Sequence, residues 1–163
     1  MMKVSEAITK LIAVGGGIEH DICHFLKVWG FARTIGEAEG LDERTLMTLE
    51  FAAVVHDIAC PALRKELGNA PGGEQEKAGP AMVREFFQGS GIDEAMLERI
   101  SYLVGHHHTY AGVDGLDYQI LLEADFLVNA GEHEKDRKAV SSFHEKVFKT
   151  RTGLKLLEDM YMK

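Results

Sequence analysis

Imidazole and carboxylate groups interrupt apolar helical stretches at four places in this sequence. They occur at His24, at His56 and Asp57, in the run 106–108 and at Asp125. An ionisable group in an apolar segment must be paired, hydrated or bound to a metal, because burying it without a partner is costly. Neutral imidazole and carboxylate groups hold Zn, Mn, Fe and similar divalent ions without thiolate ligands. One metal site would explain all four places together.

Each of these groups also has a purely structural interpretation. A helix-face histidine such as His24 is often a hydrogen-bonded core residue. His56 and Asp57 could satisfy a helix end, and Asp125 could cap a helix or pair with Arg99. The three consecutive histidines could form a surface tract. Residue spacing alone does not separate these interpretations from a metal site.

Composition restricts the classes of function. The chain has 163 residues, of which 45% are hydrophobic and 27% are charged, as is typical of one globular domain. Its 26 acidic and 18 basic side chains give a net charge of −8. No basic run is long enough to neutralise a nucleic-acid backbone. We therefore expect no nucleic-acid partner.

The remaining composition signals concern the compartment. Cys23 and Cys60 lie in apolar helical contexts without a CxxC pattern, which indicates a reducing compartment. No apolar run approaches the roughly 20 residues that cross a bilayer. Residues 1–6 lack the layout of a signal peptide. We expect a cytoplasmic protein without a membrane partner; the sequence does not predict its oligomeric state.

Helical periodicity dominates the chain, and no alternating strand pattern occurs, so the predicted class is all-α. Gly79 and Pro80 should kink a helix or mark its restart, and residues 64–66 are expected to form a charged turn. Asp42 and Asp93 are predicted N-caps. The predicted helices span residues 4–14, 18–35, 42–60, 74–88, 93–105, 117–130, 132–148 and 154–161.

Three ordered segments resemble the HD-domain superfamily of metal-dependent phosphohydrolases. Segment 20–28 looks like the opening helix of that family, with a basic residue and a valine three and four positions after His24. Segment 53–58 contains the eponymous His-Asp pair. Segment 123–127 resembles the acidic-Ala-Asp-x-Leu signature that provides the last ligand. The resemblance covers roughly residues 18–130, most of the chain.

This resemblance implies a compact multi-helix bundle with a metal site in its helical core. The bundle would form a single domain over residues 1–163, in which 131–163 are C-terminal packing helices. The implied ligands of the primary metal are His24, His56, Asp57 and Asp125.

Family members with two metal ions carry additional histidines. One of their motifs is a His-His pair at a helix end, which the run 106–108 resembles in two alternative registers. Another added histidine has no counterpart here, and residues 74–76 stand in its neighbourhood. His20, one turn before His24, is a further candidate ligand. The resemblance thus implies one divalent ion, chosen from Mn, Fe, Co, Ni, Zn and Mg, and leaves a second ion open.

The implied activity is hydrolysis of a phosphate ester, in a nucleotide or related small phosphorylated metabolite. A bound divalent ion would acidify a water molecule and polarise a phosphoryl oxygen. Asp57 is the candidate for orienting that water, and His106 or His107 could bind a second ion or protonate the leaving oxygen. Loops 68–73 and 109–115 are expected to shape the pocket. The candidates for binding substrate phosphate are Lys27, Arg64 and Lys65.

Two alternatives remain at this stage. The same fold supports a di-iron oxygenase, which would need a complete dinuclear ligand set. The domain could also be a signalling module that binds a metal or a nucleotide without turnover.

Overall fold

A computed structural model describes all 163 residues. It contains nine α-helices and no strand, which confirms the predicted all-α class. In chain order the helices are α1 (Val4–Val14), α2 (Glu19–Ala38), α3 (Glu43–Val55), α4 (Cys60–Leu67), α5 (Gly72–Phe86), α6 (Glu94–Val104), α7 (Leu116–Glu132), α8 (Arg137–Lys146) and α9 (Arg151–Tyr161).

Helices α3 and α7 form the centre of the molecule. Every residue of α3 from Thr48 to Val55 is buried, and this helix packs against α1, α2, α6 and α7. Helix α7 is buried on all sides from Asp117 to Val128. A helix without a solvent face leaves the polar groups that it carries dependent on partners inside the protein.

The helix that was expected to end at Pro61 ends earlier, at Val55. A four-residue turn, 56–59, follows, and Pro61 then lies in the first turn of α4. The expected charged turn 64–66 is part of that helix. Proline is favoured in a first helical turn, where its missing N–H has no intrahelical acceptor, so here it begins a helix. The break places His56 and Asp57 between two helices.

Helix α5 is continuous through Gly79 and Pro80, so the predicted restart is wrong. The glycine serves close packing instead, because a Cβ at Gly79 would lie 2.7 Å from Val104 Cγ1. Helix α6 therefore runs against α5 at short range. The histidine run that follows α6 is held beside the start of α5.

The C-terminal helices are joined to α7 through a buried carboxylate. Glu123 is fully buried, and its Oε1 accepts hydrogen bonds from the backbone N–H groups of Lys149 at 2.7 Å and Thr150 at 3.0 Å. Gln119, one turn earlier, also donates to this oxygen. Glu123 thus anchors the loop between α8 and α9.

One stretch, Glu43–Leu67, is long and apolar enough to cross a membrane by length and composition alone. Its most apolar window is 67% buried inside the protein. This burial makes the stretch part of the protein core.

The N-cap of α3 supports the central helix, and its removal should be measurable. The Asp42 carboxylate accepts a hydrogen bond from Thr45 N at 3.0 Å. We expect Asp42→Ala to lower the free energy of unfolding by about 1 kcal/mol, whereas Asp42→Asn should stay close to wild type, because asparagine caps equally well. Urea unfolding monitored by circular dichroism measures both changes, and equal stabilities for the two variants would contradict the assignment.

Candidate metal centre

Four side chains from three parts of the fold converge at one point. His24 comes from α2, His56 and Asp57 from the break between α3 and α4, and Asp125 from α7. His24 Nε2 lies 3.1 Å from His56 Nε2, 3.3 Å from Asp57 Oδ2 and 3.3 Å from Asp125 Oδ1. His56 Nε2 lies 3.3 Å and 3.4 Å from the same two oxygens. The structure thus brings together all four residues implied for the primary metal.

The remaining hydrogen bonds of the two histidines fix which nitrogen carries the proton. His56 Nδ1 lies 2.7 Å from the carbonyl oxygen of Ala53, which can only accept, so Nδ1 must donate. His24 Nδ1 donates in the same way to Glu132 Oε2 at 2.8 Å. In the neutral rings both Nε2 atoms are therefore acceptors. Two nitrogen lone pairs and two carboxylate oxygens at these distances require a cation between them.

Protons meet this requirement in the metal-free protein. Burial by itself lowers the pKa of His24 and of His56, but Asp125 and Asp57 raise both pKa values more, that of His56 well above its ordinary value. Burial by itself raises the pKa of Asp57 and Asp125, yet the neighbouring histidines lower both pKa values below their usual range. The carboxylates stay ionised and draw positive charge to the centre.

A divalent ion fits the same position. Two imidazole nitrogens and two carboxylate oxygens form a set that suits Zn, Mn, Fe, Co or Ni. Beside this position, His107 Nε2 is buried without a hydrogen-bond partner and lies 3.3 Å from Asp57 Oδ1. A buried acceptor that lacks a donor is rare in folded proteins. A cation beside Asp57 Oδ1 would give this nitrogen a partner.

A second group shares Asp57 and consists of Asp57, His107 and His108. The two carboxylate oxygens of Asp57 point to different groups, since Oδ2 faces His24 and His56, whereas Oδ1 faces His107. His107 Nδ1 donates to Val104 O at 2.7 Å, which leaves Nε2 as an acceptor. Asp57 is thus placed to bridge two positions.

The structure places His107 and His108, but not His106, in a possible metal-binding group with Asp57. His106 belongs to neither group, because its ring stacks on Tyr102 with 4.0 Å between the centroids. Its Nδ1 donates to Tyr102 O at 2.7 Å. The expected catalytic or ligand role of His106 finds no support in this position.

Gln75 lies in the segment 74–76, near which family members with two metal ions carry an additional histidine. Its amide nitrogen donates to Ala70 O at 2.6 Å, so its Oε1 must accept the hydrogen bond from His108 Nε2 at 2.9 Å. Burial lowers the pKa of His108, which keeps that ring neutral. A neutral amide thus stands beside the second group, which contains three candidate ligands.

Glu132 is a carboxylate beside the centre that the sequence analysis did not predict. Its side chain is 10% exposed, it holds His24 Nδ1, and Lys27 Nζ lies 3.3 Å from its Oε1. The sequence could have indicated its position, because residues 125, 129 and 132 are spaced so that they lie on one face of a helix. Asn129, on the same face, donates to Asp125 Oδ1 at 2.9 Å.

The other predicted site residues lie around this centre. The side chain of His20 is 65% exposed, and its Nε2 lies 4.0 Å from Glu132 Oε2, so it stays outside both groups. Arg64 pairs with Asp21. Lys65 is exposed and forms no ion pair; it lines a cleft described below.

The alternative partner considered for Asp125 is used elsewhere. Arg99 forms ion pairs with Asp117 at 2.7 Å and with Asp114 at 2.9 Å. Asp125 therefore has no cationic side chain other than histidine near it.

Comparison with known proteins agrees with this geometry. The family model described as the HD domain matches residues 21–148, which is most of the chain. The chain belongs to the HD domain family. This membership supports a metal-dependent hydrolase that binds a divalent ion.

A solved structure shows the same fold for this HD-domain chain. It is a protein from an uncultured Thermotogales bacterium, described as a predicted HD superfamily hydrolase, with 24% sequence identity and a TM-score of 0.68. The match covers 98% of this chain and 83% of that one. Comparison with curated proteins gave no match.

The charge balance at the centre predicts how the stability of the metal-free protein depends on pH. The raised pKa values of His24 and His56 give a stabilising contribution that is complete below about pH 6.5 and is lost as the pH rises through the folded pKa values. The lowered pKa values of Asp57 and Asp125 give a second stabilising contribution. It is complete above about pH 4 and is lost as the pH falls through the folded pKa values.

Chelator-treated protein should therefore lose unfolding free energy as the pH rises from about 6.5 through the raised pKa values of His24 and His56, and added Mn or Zn should restore it. Asp125→Asn removes one of the charges that raise the histidine pKa values, so its loss over the same range should be smaller. Urea unfolding at each pH provides the measurement. An equal loss in wild type and variant would show that the charge balance at the centre does not control this pH dependence.

The hydrogen bond from His24 to Glu132 should set the metal affinity. Glu132→Gln keeps the shape but removes the charge that orients the ring, so we expect about 10- to 100-fold weaker metal binding in competition with a chromogenic chelator. Glu158→Gln is the matched control, because Glu158 holds His144 at 2.8 Å in a pair remote from the centre. Unchanged affinity in Glu132→Gln, or an equal loss in the control, would contradict this role.

Proposed function

We propose that this protein uses a divalent ion to hydrolyse a phosphate ester in a small phosphorylated metabolite, with nucleotides among the candidates. The observation that carries the proposal is the one-sided opening of the metal centre. The side chain of Asp57 is 32% exposed, whereas those of His24, His56, Asp125 and His107 are at most 8% exposed. A substrate can therefore approach the centre from the side of Asp57.

Asp57 would have two roles in such a reaction. Its lowered pKa keeps the carboxylate ionised, so both oxygens remain acceptors. Oδ2, on the side of His24 and His56, would help to hold the ion. Oδ1, on the side of His107, would accept a hydrogen bond from the attacking water and orient it toward phosphorus.

A divalent ion held at this centre supplies a Lewis acid that acidifies water and polarises a phosphoryl oxygen. The buried residues keep the ligand geometry, since His24 and His56 are each fixed through Nδ1 by a hydrogen bond. His107, also fixed through Nδ1, presents an acceptor nitrogen beside Asp57. It would hold a second ion or receive a proton during the reaction.

The substrate phosphate needs a cationic partner, because the protein carries a net charge of −8. Lys27 and Arg64 are engaged with Glu132 and Asp21, respectively. Lys65 has no such partner, so within the proposal it is the first candidate for binding the phosphate. The proposal also places the protein in the cytoplasm, acting on a small molecule and not on a nucleic acid or a membrane.

A direct test is to load the purified protein with Mn, Co, Ni, Fe, Zn or Mg and to screen nucleotides and simple phosphate esters for phosphate release. Asp57→Asn keeps the size of the side chain but removes its charge. We expect at least about a hundredfold lower kcat/KM and less bound metal, because the variant loses both a ligand and the acceptor for water. Phosphate release and elemental analysis report the two effects.

The matched control is Asp159→Asn, which removes an exposed carboxylate on α9 and should leave both quantities unchanged. Full activity and full metal content in Asp57→Asn would refute the proposal. Two bound irons with oxygen-dependent turnover would assign the chain to the oxygenase alternative, and tight nucleotide binding without hydrolysis under every metal would assign it to a signalling role.

A further inference from the structure

A cleft of about 740 Å³ begins at the open side of the metal centre. Asp57 lines it, and its remaining walls come from α1, the turn after α1, α2, the end of α3 with the turn 56–59, α4 and α5. It is not built from loops 68–73 and 109–115, which were expected to shape the pocket. A smaller depression of about 390 Å³, lined by Tyr110 and Val113, touches no member of the metal centre.

The cleft is predominantly apolar. Ten of its eighteen lining residues are hydrophobic. Phe25, Val54 and Phe86 are buried and contribute to its walls from the core. Val14 and Ile18 also line it but are 65% and 42% exposed, so large apolar side chains extend from the core to solvent along one surface. Exposed apolar residues that continue into a concave site are typical of a ligand pocket.

The turn that carries part of this wall has a fixed shape. Gly16 and Gly17 have φ angles of 78° and 69°, a left-handed conformation that other residues rarely adopt. The turn connects α1 to the start of α2 and brings Val14 and Ile18 to the same opening. The apolar wall is therefore a consequence of the backbone as well as of the side chains.

Cationic and anionic groups are few in the cleft and are unevenly engaged. Lys10 donates to Phe86 O, and its Nζ lies 4.7 Å from the centroid of the Phe86 ring, which holds this lysine against the wall. Asp21 is neutralised by Arg64. Lys65 remains free. The cleft thus offers a phosphate group the positive charge of Lys65 near a mainly apolar surface. Apart from Asp57 and Glu85, it has no unpaired polar side chain that could accept a hydrogen bond from the hydroxyl groups of a sugar.

We propose that this cleft binds the organic group of the substrate and that this group is apolar, so that the preferred substrates are phosphate monoesters of aliphatic or aromatic alcohols and not phosphates of sugars or polyols. The inference rests on the proposed function, because it assigns the cleft to the same substrate whose phosphate reaches Asp57. It narrows the substrate class from small phosphorylated metabolites in general to those with an apolar organic part.

The test compares ethyl, butyl and hexyl phosphate, which are esters of primary alcohols with similar leaving-group acidity, together with glycerol phosphate as the polar counterpart. With the best metal, kcat/KM should rise about two- to fourfold per methylene, since each methylene leaves water for an apolar wall. Hexyl phosphate should exceed ethyl phosphate at least about tenfold, and glycerol phosphate should rank below butyl phosphate.

Binding of the corresponding alkylphosphonates, whose C–P bond resists hydrolysis, gives a measurement that does not depend on turnover. Calorimetry on the metal-loaded protein should show the same increase in affinity with chain length. Ala62→Trp fills the cleft from an exposed position in the first turn of α4 and should abolish the dependence on chain length. Ala95→Trp, at an exposed position in the first turn of α6, is the matched control and should preserve it.

The outcomes separate the two proposals. Hydrolysis of the esters without a dependence on chain length, or an unchanged dependence in correctly folded Ala62→Trp, would overturn the assignment of the cleft and leave the proposed function standing. If no metal supports hydrolysis but the phosphonates bind with the expected dependence, the cleft assignment holds and the proposed function fails. If neither hydrolysis nor length-dependent binding is seen, both fail.

Discussion

The structure depends on one electrostatic constraint: four acceptor atoms, three of them on buried side chains, meet where no side-chain donor lies between them. His24 and His56 each use Nδ1 to donate a hydrogen bond, so their Nε2 atoms approach to 3.1 Å with lone pairs directed at one another. Asp57 and Asp125 add carboxylate oxygens at 3.3–3.4 Å. Only positive charge stabilises this arrangement in a buried site, and either protons or a metal ion can provide it.

The fold supplies the rigidity that this constraint needs. Helix α7 is buried on all sides, so Asp125 cannot turn toward solvent, and two residues earlier Glu123 uses the other side of the same helix to anchor the loop before α9. His56 and Asp57 lie at the break between α3 and α4, and both side chains reach the same point. Packing thus prevents the four acceptor atoms from moving apart in response to their mutual repulsion. The ligand geometry is therefore formed before any ion binds.

Much of this could be predicted from the sequence, because it depends on local pattern. Helical periodicity identified the all-α class, and Asp42 and Asp93 were correctly predicted as N-caps. The order of the His and Asp residues indicated the HD domain family. The boundary at Pro61 was wrong, since the same residue can end one helix or begin the next, and the choice depends on how the flanking helices pack.

The sequence by itself determined which residues could hold a metal, because residue type and spacing set the chemistry of the ligands. The tertiary structure alone decided where the side chains of the histidine run lie: His107 turns toward Asp57 and His106 stacks on Tyr102. It also revealed the carboxylate of Glu132 behind His24 and the apolar cleft beside Asp57. The physical reason is that a side chain's direction and the space between helices depend on contacts between residues far apart in the chain, which periodicity does not encode.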